Sequence, residues 1–140
     1  DVDWFKHYND HFGHLAGDEC LRQLGGILLD TINRSGDLVA RYGGEEFVFI
    51  APHTRAPEAT VMADRVHQAL AALNLAHPLS PLGRVTVSMG VACCVPARTN
   101  GPIAPDTPST PNTPAQLVAL ADQALYAAKA AGRNRTVALH

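Results

Sequence analysis

The sequence is short of charge, of cysteine and of long apolar runs, and each shortage closes off a class of protein. Charged residues make up 17% of the 140 positions and balance to a formal net charge of -2. That leaves no basic field of the kind that grips a nucleic-acid duplex or an anionic membrane surface. Any small anion must be held locally, by a few placed side chains. Of the three cysteines, Cys20, Cys93 and Cys94, two are adjacent and none forms a Cys-x-x-Cys metal pair, which suits reduced core thiols in a cytosolic setting. No apolar run approaches the roughly 20 residues that span a bilayer, and no charged-then-apolar leader is read at the start.

What is present is 46% hydrophobic content, enough for one globular domain with a substantial core. The pattern centres on residues 37–52, where two runs of strand-forming residues flank Gly43-Gly44-Glu45-Glu46. This spells a β-hairpin with two acids at its tip. The flanks are apolar enough to be expected as buried central strands, holding the turn rigidly. The paired glycines permit positive φ and let a bulky polyanion approach the main chain. Glu45 and Glu46 offer hard oxygen ligands for Mg²⁺ beside a nucleotide phosphate. Taken alone, the same tetrapeptide also fits an ordinary turn with solvated acids.

Around the hairpin the periodicity is helical. Phe5 to Phe12 reads as a short helix, and Cys20, Leu21, Leu24, Ile27, Leu28 and Ile32 predict a longer one over about residues 16–33. A further helix starts at Pro57-Glu58, with Met62, Val66, Ala69, Leu70 and Leu73 on its apolar face. Val85, Val87, Met89 and Val91 alternate with Thr86, Ser88 and Gly90 as in a strand. Leu117, Ala121, Ala124, Leu125 and Ala128 mark a last helix, closed by Gly132 and followed by the short strand Thr136-Val137-Ala138-Leu139. Residues 96–114 carry six prolines among Thr, Ser, Asn and Gly and are expected to form a solvated surface loop. Because Asp1 opens the chain with no element to support it, a first strand is expected upstream, making residues 1–140 an incomplete single domain. The order of elements predicts an α+β sandwich of the ferredoxin-like kind, with a mixed central sheet between helices.

If the expected first strand neighbours the hairpin, Asp1 converges with Glu45 and Glu46, and such a cluster needs a divalent cation to be tolerable at close range. Lys6, Lys129 and Arg133 can bring positive charge to a triphosphate beyond the metal, although each alone is also an ordinary surface cation. Asp3 reads either as a second metal ligand or as a structural ion-pair partner. His7, His11 and His14 have helical spacing, but Gly13 interrupts them and oxygen ligands dominate nearby, which disfavours zinc.

Several ordered blocks are similar to one family. Asp1-Val2-Asp3-Trp4-Phe5-Lys6 with Asn9-Asp10, Gly13-His14 and Gly17-Asp18, then Arg41-Tyr42-Gly43-Gly44-Glu45-Glu46-Phe47, Ser88-Met89-Gly90-Val91, and Ala121-Asp122 through Lys129 to Gly132-Arg133-Asn134, resemble the GGDEF domain of diguanylate cyclases over nearly the whole chain. The resemblance implies a fold related to nucleotidyl cyclase and polymerase palm domains. It implies condensation of two GTP into cyclic di-GMP with release of two pyrophosphates, across a homodimer in which each domain holds one GTP. Carried over by position, Asp1, the Val2 carbonyl and Glu45 bind Mg²⁺, with Mn²⁺ as the other candidate ion, and Glu46 stands at the metal and the reactive hydroxyl. Asn9 and Asp18 read guanine, Lys6, Lys129 and Arg133 contact phosphate, and Gly44 lies where the nucleotide passes closest to the backbone. Arg34-Ser35-Gly36-Asp37 resembles the Arg-x-x-Asp inhibitory site where product binds, with Arg65 as a candidate second guanidinium. The domain is expected in the cytoplasm, as part of a larger protein, membrane-anchored or not, with no contact to DNA or membrane of its own. A different class remains beside the enzyme: a module that binds GTP or cyclic di-GMP and transmits a signal without catalysis.

Overall fold

The computed structural model describes residues 1–95 and 113–139. Their element order is α1 (Phe5–Phe12), α2 (His14–Thr31), β1 (Leu38–Gly43), β2 (Glu46–Ile50), α3 (Ala56–Leu73), β3 (Met89–Ala92), α4 (Pro114–Ala130) and β4 (Thr136–Leu139). This is the expected order, with α2 starting and stopping two residues earlier than its apolar stripe suggested. The expected loop over residues 96–114 lies outside the described residues except for Thr113 and Pro114, which start α4. There the Thr113 hydroxyl accepts from the Gln116 N–H at 3.2 Å and the Gln116 side chain accepts from the Thr113 N–H at 3.2 Å. This reciprocal box, with Pro114 in the first turn, fixes where the helix begins.

β1 and β2 form an antiparallel hairpin, and β3 and β4 pair in parallel, Met89 opposite Thr136 through Ala92 opposite Leu139. The opening residues stitch the two sheets together. The Val2 N–H donates to the Glu45 carbonyl at 3.3 Å, while Asp3 N–H to Thr86 O and Ser88 N–H to Asp1 O, both 2.9 Å, frame an antiparallel bridge between Val2 and Val87. Residues 1–3 thus lie between the hairpin tip and the approach to β3.

Alternation along β3 sends neighbouring residues to opposite faces. Met89 packs against the core built from α2 and α3, where Cys20, Leu21, Leu24, Leu28, Met62, Val66 and Leu70 meet Val85 and Val87. Gly90 faces the other way, against α4: a Cβ there would collide with the Ala121 carbonyl and the Leu125 N–H. Helices therefore cover both faces of the sheet, the sandwich predicted from the order of elements.

Two expectations are corrected. The hairpin is not a pair of buried central strands: Val39, Phe47 and Phe49 pack inward, but Leu38, Tyr42 and Ile50 are more than half exposed. Its inner face lies on the helical core while its outer face stays open. The predicted strand over residues 85–91 is regular only from Met89. Before that the backbone is spent elsewhere, with Val85 N–H on Leu75 O at 2.8 Å and Thr86 and Ser88 on residues 1–3. Val85, Thr86, Val87 and Ser88 are all buried, so the apolar–polar alternation does not mark an inside and an outside there.

Candidate active site

The hairpin register slips by one between Arg41 and Gly43, a β-bulge that turns the tip. Gly44 then carries φ 52° while Glu45 does not enter the positive region, the φ pattern of a type II′ turn, which favours glycine at its first central position. The Arg41 Nε–H donates to the Gly44 carbonyl at 2.8 Å and steadies the loop. Glu45 is half-buried and Glu46 is exposed. The Val2–Glu45 hydrogen bond seats Asp1 beside this tip, and Lys129, Asp3, Glu46 and Glu45 all lie within electrostatic reach of the Asp1 nitrogen.

Asp1 and Lys129, expected to meet a metal and a phosphate respectively, pair with each other, Nζ to Oδ2 at 2.9 Å. The Asp1 carboxylate is 7% exposed, and a carboxylate so sheltered demands a positive partner. Lys129 meets that demand. Among the described residues no three His, Cys, Asp or Glu side chains gather into a complete cation site. The donor set nonetheless suits a hard divalent cation. It offers a sheltered Asp1 carboxylate, the acids of the neighbouring tip and the Val2 carbonyl, which accepts no hydrogen bond from the described residues, and oxygen ligands are what Mg²⁺ prefers.

Asp3 resolves differently from either alternative. It is 1% exposed and accepts from Thr86 Oγ1 at 2.8 Å, Ser88 Oγ at 2.7 Å and the Asn134 N–H at 3.0 Å. Three neutral donors, not an ion pair, satisfy it. It ties the start of the chain to the turn before β4.

Asn9 and Asp18, expected to read guanine, sit where α1 and α2 cross. A Cβ on buried Gly17 would fall on the Asn9 Oδ1 and crowd Phe5 Cζ at 3.2 Å, so glycine is what lets the Asn9 side chain lie there, next to exposed Asp18. The Asn9 Oδ1 is buried and lacks a hydrogen-bond partner among the described residues, an acceptor left without its usual compensation. Lys6 stands well exposed on α1, paired with Asp10 at 3.0 Å. Arg133 lies with its guanidinium over the Trp4 ring, 4.2 Å from the centroid. Trp4 and the buried His77, whose ring bonds the Trp4 carbonyl, were not singled out from sequence. The one signal available was a lone tryptophan between an acid and the Phe-Lys pair.

The Arg34-Ser35-Gly36-Asp37 stretch closes a turn, Asp37 N–H to Arg34 O at 3.0 Å. The Arg34 guanidinium is bidentate to Asp37, Nε to Oδ2 at 3.1 Å and Nη2 to Oδ1 at 3.3 Å, and also reaches Thr54 Oγ1 at 2.6 Å. Hydrogen bonding to Asp37, seconded by its charge, raises the Arg34 pKa above its ordinary value. Arg34 and Arg65 line one open groove with His53, Glu58 and Met62, so the structure brings the two guanidinium residues together.

The profile described as "Diguanylate cyclase, GGDEF domain" matches residues 1–135. The chain is 40% identical to diguanylate cyclase DgcM of Escherichia coli K12 over 138 residues, which is 99% of this chain and 29% of that protein. It is likewise 40% identical over 139 residues to the response regulator PleD of Caulobacter vibrioides NA1000, covering 98% of this chain and 27% of PleD. The chain thus spans less than a third of these relatives' length. A crystal structure of the coiled coil and GGDEF domain of DgcB from Caulobacter crescentus in complex with c-di-GMP superposes with a TM-score of 0.76 at 29% identity, over 99% of this chain and 66% of that one. With both sequence and fold in agreement along nearly its whole length, the chain belongs to the GGDEF domain family of diguanylate cyclases.

Proposed function

We propose that the chain is the catalytic domain of a diguanylate cyclase that joins two GTP molecules into cyclic di-GMP and releases two pyrophosphates. The observation that carries this reading is the Val2–Glu45 hydrogen bond, which seats Asp1 and the Val2 main chain beside the acidic hairpin tip. Asp1, the Val2 carbonyl and Glu45 would hold Mg²⁺, with Mn²⁺ as the alternative, and Glu46 would serve at the metal and the reactive hydroxyl. A bound cation supplies Lewis acidity at the α-phosphate and lowers the pKa of the attacking hydroxyl.

The protein's own groups do the rest. Asn9 and Asp18 take the guanine edge, the carboxylate accepting the N1–H and N2–H donors that adenine lacks. Gly44 lets the nucleotide pass close to the main chain. Lys6, Lys129 and Arg133 neutralise the triphosphate, Lys129 exchanging its Asp1 partner for phosphate oxygen. In each half-reaction the 3′-oxygen of one GTP forms a bond to the α-phosphorus of the other. The bond from that phosphorus to the bridging oxygen breaks, pyrophosphate departs, and the hydroxyl proton passes toward Glu46. One domain positions one GTP, so two domains must face each other, and their approach in a homodimer becomes the point of control. Arg34, Asp37 and Arg65 form the site where product returns to inhibit. The domain works in the cytoplasm, where its substrate is found; no described helix is long and apolar enough to cross a membrane.

The test incubates the intact protein, with dimerisation enforced, with GTP and Mg²⁺, and separates nucleotides by chromatography. Cyclic di-GMP from the parent and none from Glu46→Gln is the expected result. A folded dimer that binds GTP but makes no product would overturn the enzyme and leave a nucleotide-binding module.

A further inference from the structure

We infer that Trp4 is a positioning residue that sets the Arg133 guanidinium for the triphosphate; the inference rests on the function proposed above. The guanidinium carbon lies 4.2 Å from the ring centroid, well inside the roughly 6 Å reach of a cation–π contact. None of the ion pairs among the described residues includes Arg133. That choice of partner matters. A carboxylate would compete with phosphate for the N–H groups, whereas an aromatic face restrains the guanidinium plane and leaves its N–H edge free to meet phosphate oxygens.

Both halves of the contact are held from behind. Trp4 has φ 59° and ψ 27°, a left-handed conformation that a bulky residue adopts only where its surroundings impose it. The surroundings here are specific. The Trp4 carbonyl accepts from the Tyr8 N–H at 3.1 Å and from His77 Nε2 at 3.1 Å, and the indole meets the His7 ring edge-on at 5.5 Å. His77 is fully buried, with its ring edge-on to Tyr8 at 5.2 Å. Arg133 and Asn134 are left-handed as well, at φ 63° and 46°. The Arg133 N–H is spent on the Ala128 carbonyl at 3.0 Å, and the Asn134 N–H on Asp3 Oδ2 at 3.0 Å. Two consecutive residues, Asp3 and Trp4, thus grip two consecutive residues, Asn134 and Arg133, one by a hydrogen bond and the other by its ring.

The experiment uses the intact protein and its Trp4→Phe, Trp4→Leu, Arg133→Ala and Trp4→Leu/Arg133→Ala variants. Two properties are measured: the NMR shift of the Arg133 Nε–H without ligand, and equilibrium binding of GTP and of guanosine. The parent should show an upfield ring-current shift of Nε–H that Trp4→Leu abolishes and Trp4→Phe retains in part. Trp4→Leu should weaken GTP binding about three- to tenfold, leave guanosine binding unchanged, and add nothing in the Arg133→Ala background. Equal losses for GTP and guanosine, or a full loss from Trp4→Leu with Arg133 already gone, would reduce Trp4 to a packing residue. Should Trp4→Leu fail to fold, the parent and Trp4→Phe decide, because a parent Nε–H without ring-current shift overturns the inference. A parent that shows the shift yet binds no GTP defeats the proposed function itself, and with it the role of the contact, through the parent and not through a variant.

Discussion

At the scale of single residues, the proposed chemistry rests on atoms that small changes would displace. Gly17 sits inside a helix, where alanine would ordinarily be favoured by about 1 kcal/mol. Here the added methyl would land on the Asn9 Oδ1, so the outcome is decided by collision and not by helix propensity. Gly17→Ala should push Asn9 out of place and weaken GTP binding on the order of tenfold, as measured by titration calorimetry. His67 offers a pH readout. Burial lowers its pKa below the ordinary 6.5, with Asp64 and Asp3 opposing, and its Nε2 lies 3.1 Å from Thr136 Oγ1. The unfolded chain therefore binds a proton at a higher pH than the folded one, and stability falls as pH drops through 6.5 toward the lower folded value. Urea midpoints at pH 7.5 and 5.5 should differ less in His67→Gln than in the parent, and an unchanged difference would assign the acid sensitivity elsewhere.

At the scale of elements, the apolar stripes of α2, α3 and α4 and the hairpin with its acidic tip could be read directly from the sequence, because helical and strand periodicities survive in a single chain. The burial of the hairpin could not, since Leu38, Tyr42 and Ile50 on its open face are as apolar as the residues turned inward. Nor could the role of Asp3, whose partners stand 83, 85 and 131 positions away. The conformation of Trp4 was equally hidden, because it is imposed by His77 from a proline-interrupted loop. Gly90 belongs to the same lesson. In sequence it is one small residue in a strand-like run; in the fold it is where α4 comes down onto β3. Gly90→Ala would set a methyl against main-chain atoms of Ala121 and Leu125, which cannot swing aside as a side chain can. The variant should lose about 1–3 kcal/mol or more in urea denaturation, while Gly26→Ala, with open space around it, should not.

At the scale of the whole molecule, the proposed catalytic and inhibitory sites occupy different parts of the fold. Asp1, beside the acidic tip, pairs with Lys129 of α4, whereas Arg34 and Arg65 line the groove beside α3, with Asp37 paired to Arg34. In the proposed cyclase, removing the guanidinium that grips product should leave the chemistry intact. Arg34→Ala should keep its initial rate while the product concentration needed for half-inhibition rises on the order of tenfold, seen as progress curves that no longer bend as cyclic di-GMP accumulates. A parallel loss of initial rate would show that the turn supports the hairpin as well as the inhibitory site.

The hydrogen bond from Asn134 to Asp3 closes a loop of 131 residues, and the Lys129–Asp1 pair closes one almost as long. Contacts this distant along the chain are entropically late and slow to form. During synthesis residues 1–3 emerge from the ribosome before residues 129–134 and must wait for that turn before their partners exist. A nascent or truncated chain lacking residues 129–134 has no Lys129 for the Asp1 carboxylate and no Asn134 N–H for Asp3. In the proposed cyclase the nucleotide site would therefore be assembled only once the chain has been made through Asn134.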